Sequence, residues 1–219
     1  MNVSHVICID FEPGIPVRAI AAEVAETLGL PLVDREIVAG ETAKLNLPER
    51  LVAALEGEPD HPIQRWLLAA AEGDQDLGIS DGTTPQTDPV MQPRRPLMRA
   101  FREAIQEAAT QPCVIANHQA CYALAGRHET MRVLLCADPS ERQLWLREHS
   151  PADWADRDRL VDERDRAQRA YVKQAYSRRW PDLRIYHLTL DVGRLTLERS
   201  AYLISEFARS TPPGGTLTK

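Results

Sequence analysis

Residues 5–37 read HVICIDFEPGIPVRAIAAEVAETLGLPLVDREI, and this stretch decides the fold. Residues 5–10 (HVICID) are a short apolar run closed by an acid, the pattern of a buried strand. A turn-like segment follows, Phe11-Glu12-Pro13-Gly14-Ile15-Pro16. Over residues 17–28 the apolar side chains Val17, Ile20, Ala21, Val24, Ala25 and Leu28 recur at helical spacing, and Gly29 is a natural helix terminator. Residues 30–33 form a second short strand, and Asp34 can cap a helix over residues 35–45. Strand, turn, helix and strand in that order make a βαβ unit, which predicts parallel strands joined by a right-handed crossover.

The alternation continues along the chain. Helical patterns cover residues 48–55, 62–71 and 96–109, with a loop rich in Gly, Asp, Thr, Pro and Gln at residues 73–93. Residues 113–117 (CVIAN) and 131–137 (MRVLLCA) read as the third and fourth strands. Asp138-Pro139-Ser140-Glu141 opens a helix with proline near its start. Residues 151–179 form a long, highly charged helical stretch with a break near residues 154–158. Residues 185–192 (IYHLTLDV) are the fifth strand, 195–208 the closing helix and 210–219 a flexible tail. Five strands interleaved with helices predict an open α/β fold with a mainly parallel sheet. Ligands of such folds sit beyond the carboxyl ends of the strands, which here carry Asp10, Asp34, Asn117, His118, Asp138 and Asp191.

Composition bounds the function. At 219 residues the chain is long enough to bury a core without disulfides or a structural metal. With 43% hydrophobic and 26% charged residues it reads as globular, with apolar runs too short to span a bilayer. Met1 leads almost directly into a strand, without the basic-then-apolar region of an export signal, so a cytoplasmic protein with no membrane partner is expected. A net charge of −6 argues against a sequence-independent nucleic-acid binder, which needs surplus Lys and Arg. The charge is uneven: acids dominate before Gln92, and the chain is Arg-rich from Arg94 onward. Cys8, Cys113, Cys121 and Cys136 lie in or beside apolar runs and read as free, buried thiols. His118 and Cys121, with Cys113 and His128 near, lack the paired C-x-x-C of a zinc site, and no metal ligand is expected. No G-x-S-x-G elbow supports a hydrolase.

The turn after the first strand is the natural anion site of this fold, because backbone N–H groups converge there and the helix dipole adds positive potential. A working phosphate cradle has several glycines and a lysine. Here the turn reads DFEPGIPVR: only Gly14 is glycine, Pro13 and Pro16 lack an N–H, Arg18 is the nearest cation, and Asp10 and Glu12 would repel phosphate. It can equally be a plain strand-to-helix connection with Pro16 in the first helical turn.

At these residues the chain resembles the cytidylate-kinase-like proteins, relatives of the P-loop nucleoside monophosphate kinases. Members read I-x-I-S-R-E-Y-G-S-G-G-R-x-I-A and later L-G-x-P-x-x-D-R-E-I; this chain has ICIDFEPGIPVRAIA and LGLPLVDREIV. Glu12, Gly14, Arg18, Ile20 and Ala21 agree, while the Ser-Gly-Gly of the loop is Ile15-Pro16-Val17. CVIANHQACYALAG resembles V-I-V-G-R-x-A-x-x-x-L, with Asn117-His118 in place of the Gly-Arg that helps hold the acceptor. MRVLLCADPSERQLWL places Arg142 at a matching arginine. VDERDRAQRAYVKQAYSRRW resembles the lid helix D-x-x-R-x-x-Y, matching Asp165, Tyr171 and Trp180 but with Gln168 at the arginine.

The resemblance implies a three-layer P-loop-type fold in one domain over residues 1–209, with strand order 2-3-1-4-5. Residues 35–110 would be an acceptor-side helical insert and 140–180 a lid-like region. It implies ATP with Mg2+ as cofactor and phosphoryl transfer to a CMP-like acceptor. Gly14 and Arg18 would then hold the donor, Arg35 and His118 the acceptor, and Arg142, Arg164, Arg166 and Arg169 the transferring phosphate. Acids at 162, 163 and 165 also allow the last three arginines to be a solvated, ion-paired helix face. Because losing a preorganised donor to a developing charge costs about 3 kcal/mol, weak or absent kinase activity is expected. The chain then serves as a ligand-sensing or interaction module. Its expected partners are a nucleotide or other phosphorylated small molecule, a protein partner or a second copy in a homodimer.

Overall fold

The computed structural model describes residues 6–33, 94–116, 119–149 and 157–210. The helical patterns between residues 35 and 71, the loop at 73–93, Arg35, His118 and the tail after Ser210 lie outside the described residues. Strand β1 (Val6–Phe11) leads into helix α1 (Val17–Leu28) and the short strand β2 (Leu32–Val33). Then come α2 (Arg94–Ala108), β3 (Cys113–Ala116), the single turn α3 (Ala120–Ala123) and β4 (Thr130–Cys136). Helices α4 (Pro139–His149) and α5 (Arg157–Tyr176), strand β5 (Leu188–Asp191) and helix α6 (Leu197–Ser210) complete the order.

The five strands form one parallel sheet in the order β2-β3-β1-β4-β5, as the resemblance implied. β1 is central: Val6 pairs with Cys113 on one side and with Thr130 on the other. The strand period of two divides its side chains between two cores. Ile7, Ile9 and Phe11 pack with Val17, Ile20, Ala201 and Ile204 of α1 and α6. Val6 and Cys8 pack on the other face with Ile105, Cys121 and Val172 of α2, α3 and α5. The helices of α/β crossovers cover both faces, which is why the strands read as nearly continuous apolar runs.

Element ends differ from the sequence reading where a local hydrogen bond intervenes. The fifth strand begins at Leu188 rather than 185 because a 3-10 turn occupies Leu183–Ile185; the Asp182 carboxylate accepts the Arg184 N–H and caps it. Thr196 Oγ1 accepts the Arg199 N–H, so the last helix starts at Leu197. It runs on through Ser210, which the sequence reading gave to the tail. The long charged helix stops at Tyr176, since Ser177 adopts φ 54°. Gly29 ends α1 in the left-handed conformation with φ 65°, as expected.

One glycine is required by both conformation and space. Gly14 has φ 98°, and a Cβ built there would lie 3.0 Å from the Arg142 carbonyl oxygen and 3.1 Å from Arg142 Cβ. A Gly14→Ala change is therefore expected to destabilise the protein by about 2 kcal/mol, read as a lowered midpoint in urea denaturation.

Candidate functional site

The turn from β1 to α1 carries few uncommitted donors. The Glu12 N–H bonds the Leu135 carbonyl at 3.0 Å and the Ile15 N–H bonds the Glu12 carbonyl at 3.3 Å. Val17 N–H bonds the Ile15 carbonyl at 2.8 Å, closing an inverse γ-turn around Pro16, whose φ and ψ are −75° and 59°. Ala19 N–H bonds the Pro16 carbonyl at 3.2 Å. Pro13 and Pro16 have no N–H to give. Ile15 and Val17 turn inward and join the α1 side of the core. Apolar residues at these positions thus bind the turn to the protein interior.

Arg142, from the first turns of α4, is the hub beneath this turn. Its side chain is 4% exposed. Nε donates to the Ala137 carbonyl and Nη1 to the Pro13 carbonyl, both at 3.2 Å. Nη1 and Nη2 form a fork to the two Asp165 oxygens at 2.7 and 3.0 Å. Glu12 Oε2 lies 3.7 Å from Nε and accepts the Ala137 N–H at 3.1 Å. Burial opposes the Arg142 charge, but the Asp165 fork and Glu12 more than offset it and hold its pKa above the ordinary value. Glu12 is raised: burial dominates, Ala137 and Arg142 pull it down, and Asp165 and Asp191 push it further up.

Helix α5 reaches the same turn. Val161, Asp165, Gln168 and Val172 form its inward stripe, and Gln168 Nε2 donates to the Phe11 carbonyl at 3.0 Å. Gln168 Oε1 is buried without a hydrogen-bond partner. Arg166 and Arg169 lie on a stripe turned to solvent, and Arg164 is half-buried between the two. Arg18 is exposed in the first turn of α1. The structure thus brings Gly14 and Arg142 together at the turn, while Arg166 and Arg169 are exposed on α5.

On the far side of β1 lies a second polar group. Asp10 is fully buried. Oδ1 accepts the Cys121 N–H of α3 at 3.2 Å, and Oδ2 accepts the Tyr186 hydroxyl at 2.9 Å. Burial raises its pKa from the ordinary carboxylate value to about 7, with the Cys121 and Tyr186 bonds opposing. Cys121 Sγ donates to the Cys8 carbonyl at 3.3 Å, and burial raises both thiols, Cys121 well above its usual range. Sequence reading placed Asp10 at a strand end but not its partners, since α3 and the segment before β5 meet it only through the fold. Glu12 and Asp165 were visible as family matches. Their joint claim on Arg142 had no local signature.

The chain matches the cytidylate kinase-like family over residues 6–194. Among solved structures, it is similar to an uncharacterized protein from Eubacterium ventriosum, with a TM-score of 0.61 and 15% identity over 94% of this chain and 99% of that one. It is also similar to shikimate kinase from Bacteroides thetaiotaomicron, with a TM-score of 0.53 and 14% identity over 93% and 98% of the two chains. At these identities the likeness speaks for the fold alone. No curated protein matches with significance. Among the described residues no helix is long and apolar enough to cross a membrane. With the sheet order and the family match in agreement, this kinase-like chain belongs to the cytidylate kinase-like family.

Proposed function

We propose that this kinase-like protein has a degenerate nucleotide-binding turn, has weak or no phosphoryl-transfer activity, and acts as a ligand-sensing or interaction module. The observation that carries this reading is the state of the turn: Glu12, Ile15, Val17 and Ala19 already have carbonyl acceptors, and Pro13 and Pro16 offer no donor. Phosphoryl transfer is mostly positioning and neutralisation of charge by such donors and by cations. The buried cation at hand, Arg142, is spoken for by Asp165 and Glu12, and Asp191 adds further negative charge beside Glu12. These groups fit a magnesium-bound triphosphate poorly.

The family match supports a second reading: ATP-dependent phosphoryl transfer to a CMP-like acceptor. Gly14 and Arg18 would then hold the donor, Arg35 and His118 the acceptor, and Arg142, Arg164, Arg166 and Arg169 the transferring phosphate.

A thermal-shift panel of ATP, CTP and CMP with and without Mg2+, run beside a turnover assay, decides between them. A ligand at about a hundred times its Kd stabilises by about 2.7 kcal/mol, which is several degrees for a chain of this size. The expected result is a flat panel with turnover at background, and a stable protein partner in pull-downs. Stabilisation by ATP and CMP, with turnover abolished by Arg18→Ala, would establish the enzyme instead.

A further inference from the structure

The chemistry of the β1–α1 turn leaves one cluster of ligating side chains unused. Cys8 and Asp10 stand two residues apart on β1, so the strand period sends both side chains to the same face. Helix α3 delivers Cys121 to that face, where Asp10 Oδ1 accepts its N–H at 3.2 Å. One ligand atom from each residue, the two Sγ atoms and a carboxylate oxygen, all lie within 4.8 Å of one another, and all three residues are fully buried. Cys8 and Cys121 are 113 residues apart, so no C-x-x-C spacing announces the pair. Cys113 belongs to the same apolar core, which makes this side of the sheet rich in thiols.

We propose that Cys8, Asp10 and Cys121 form a closed binding site for a thiophilic divalent cation, zinc foremost. Two sulfurs and one carboxylate are a zinc donor set, whereas magnesium and calcium take oxygen ligands. Zinc–sulfur bonds of about 2.3 Å and zinc–oxygen bonds of about 2.1 Å put neighbouring ligand atoms about 3.5 Å apart. The triad therefore has only to contract by side-chain adjustment. Charge also balances. Two thiolates and a carboxylate carry three negative charges against the two of the ion, and the Arg132 guanidinium supplies the third positive charge. Arg132 pairs with Cys8 in the sheet register, and its charge acts on both thiols. The thiol protons of Cys8 and Cys121 leave to solvent as the ion binds, and the ion takes the place of any proton on Asp10. The Tyr186 hydroxyl, 2.9 Å from Asp10 Oδ2, orients the carboxylate from outside, as the outer partners of metal ligands do. An ion held there pins β1, the strand that carries the turn, to the helix that follows β3. It stabilises the fold outright, as buried structural zinc does.

The test is made on the full chain, expressed in minimal medium with zinc or cobalt as the added transition metal and purified without chelator. The chain then folds around the ion, which a closed site requires. Elemental analysis by mass spectrometry is expected to find about one zinc per chain. The cobalt form is expected to show the thiolate-to-metal charge-transfer absorption of two sulfur ligands. Cys8→Ser and Cys121→Ser should each lower the metal content about tenfold or more. Cys113→Ser should keep it, because the Cys113 thiol lies outside the triad and donates to the Ala108 carbonyl. A wild-type chain free of metal, or cobalt bound without charge-transfer absorption, overturns the proposal. So does zinc retained by both Cys8→Ser and Cys121→Ser. Should the buried serines unfold the chain, the metal content and cobalt spectrum of the wild type decide alone. No nucleotide enters these measurements, so their failure is distinct from a failure of the binding panel.

Discussion

Arg142→Met is expected to lower the unfolding free energy by about 3–5 kcal/mol, measured by urea denaturation at neutral pH. The substitution keeps most of the aliphatic stem and removes the guanidinium. It strips hydrogen bonds from the Ala137 and Pro13 carbonyls and leaves Asp165 and Glu12 facing each other with no cation between them. The cost is that of two partly buried carboxylates and two carbonyls stripped of their partner rather than of a lost surface ion pair, which would contribute less than about 1 kcal/mol. Arg142→Lys keeps the charge but cannot reproduce the fork, and should fall between the variant and the wild type. Leu144→Ala, two residues along the same helix at a position 45% exposed, should stay within about 0.5 kcal/mol. The penalty of Arg142→Met should shrink in acid, because Glu12, already held up by burial, neutralises readily there. A loss below about 1 kcal/mol would mean that the guanidinium is dispensable and that the turn is held by its own backbone.

The fold was legible because its signals are periodic and local. The unbroken apolar run Val6-Ile7-Cys8-Ile9 is the pattern of a strand buried on both faces, which the structure divides between two cores. The run from Val17 to Gly29 carries both a helical face and its stop signal. The start of β5 was misplaced because the Asp182–Arg184 cap is a side-chain event that a run of apolar residues does not reveal. The site was legible only in part. Pro13 and Pro16 announced missing donors by their chemistry alone. That Ile15 and Val17 point into the core, and that their amides find acceptors two or three residues back, depends on the path of the turn. Arg142 was assigned to phosphate on resemblance; its bonds to Pro13 and Asp165 cross 129 and 23 residues of chain. No pattern of local spacing encodes contacts at such separations.

Asp10 should make the protein lose stability as pH rises, the reverse of the usual behaviour of carboxylates. Its folded pKa of about 7 lies above the ordinary value of 3.8. The unfolded chain therefore releases this proton first, and the folded state must bury a charge to follow. Below about pH 4 both states hold the proton and the contribution is intact; between about 4 and 7 it is lost progressively; above 7 the loss is complete. A tenfold displacement of the proton equilibrium is worth about 1.4 kcal/mol, so the excursion is on the order of 4 kcal/mol. Asp10→Asn is expected to flatten this segment of the stability–pH curve, because it removes the titration and keeps the connections. Its carbonyl can accept the Cys121 N–H, and its amide can donate to the Tyr186 oxygen, which the hydroxyl's rotation permits. At pH 8 the Asn variant should therefore match or exceed the wild type. Asp10→Ala should instead cost about 2–4 kcal/mol across the range, since it strands the Cys121 and Tyr186 donors in the core and opens a cavity. Urea titrations of the three proteins from pH 4 to 8 read the difference directly. A slope in Asp10→Asn equal to that of the wild type would show that the titrating group is another, the raised Glu12 carboxyl first among them, and that Asp10 keeps its charge at neutral pH despite its burial.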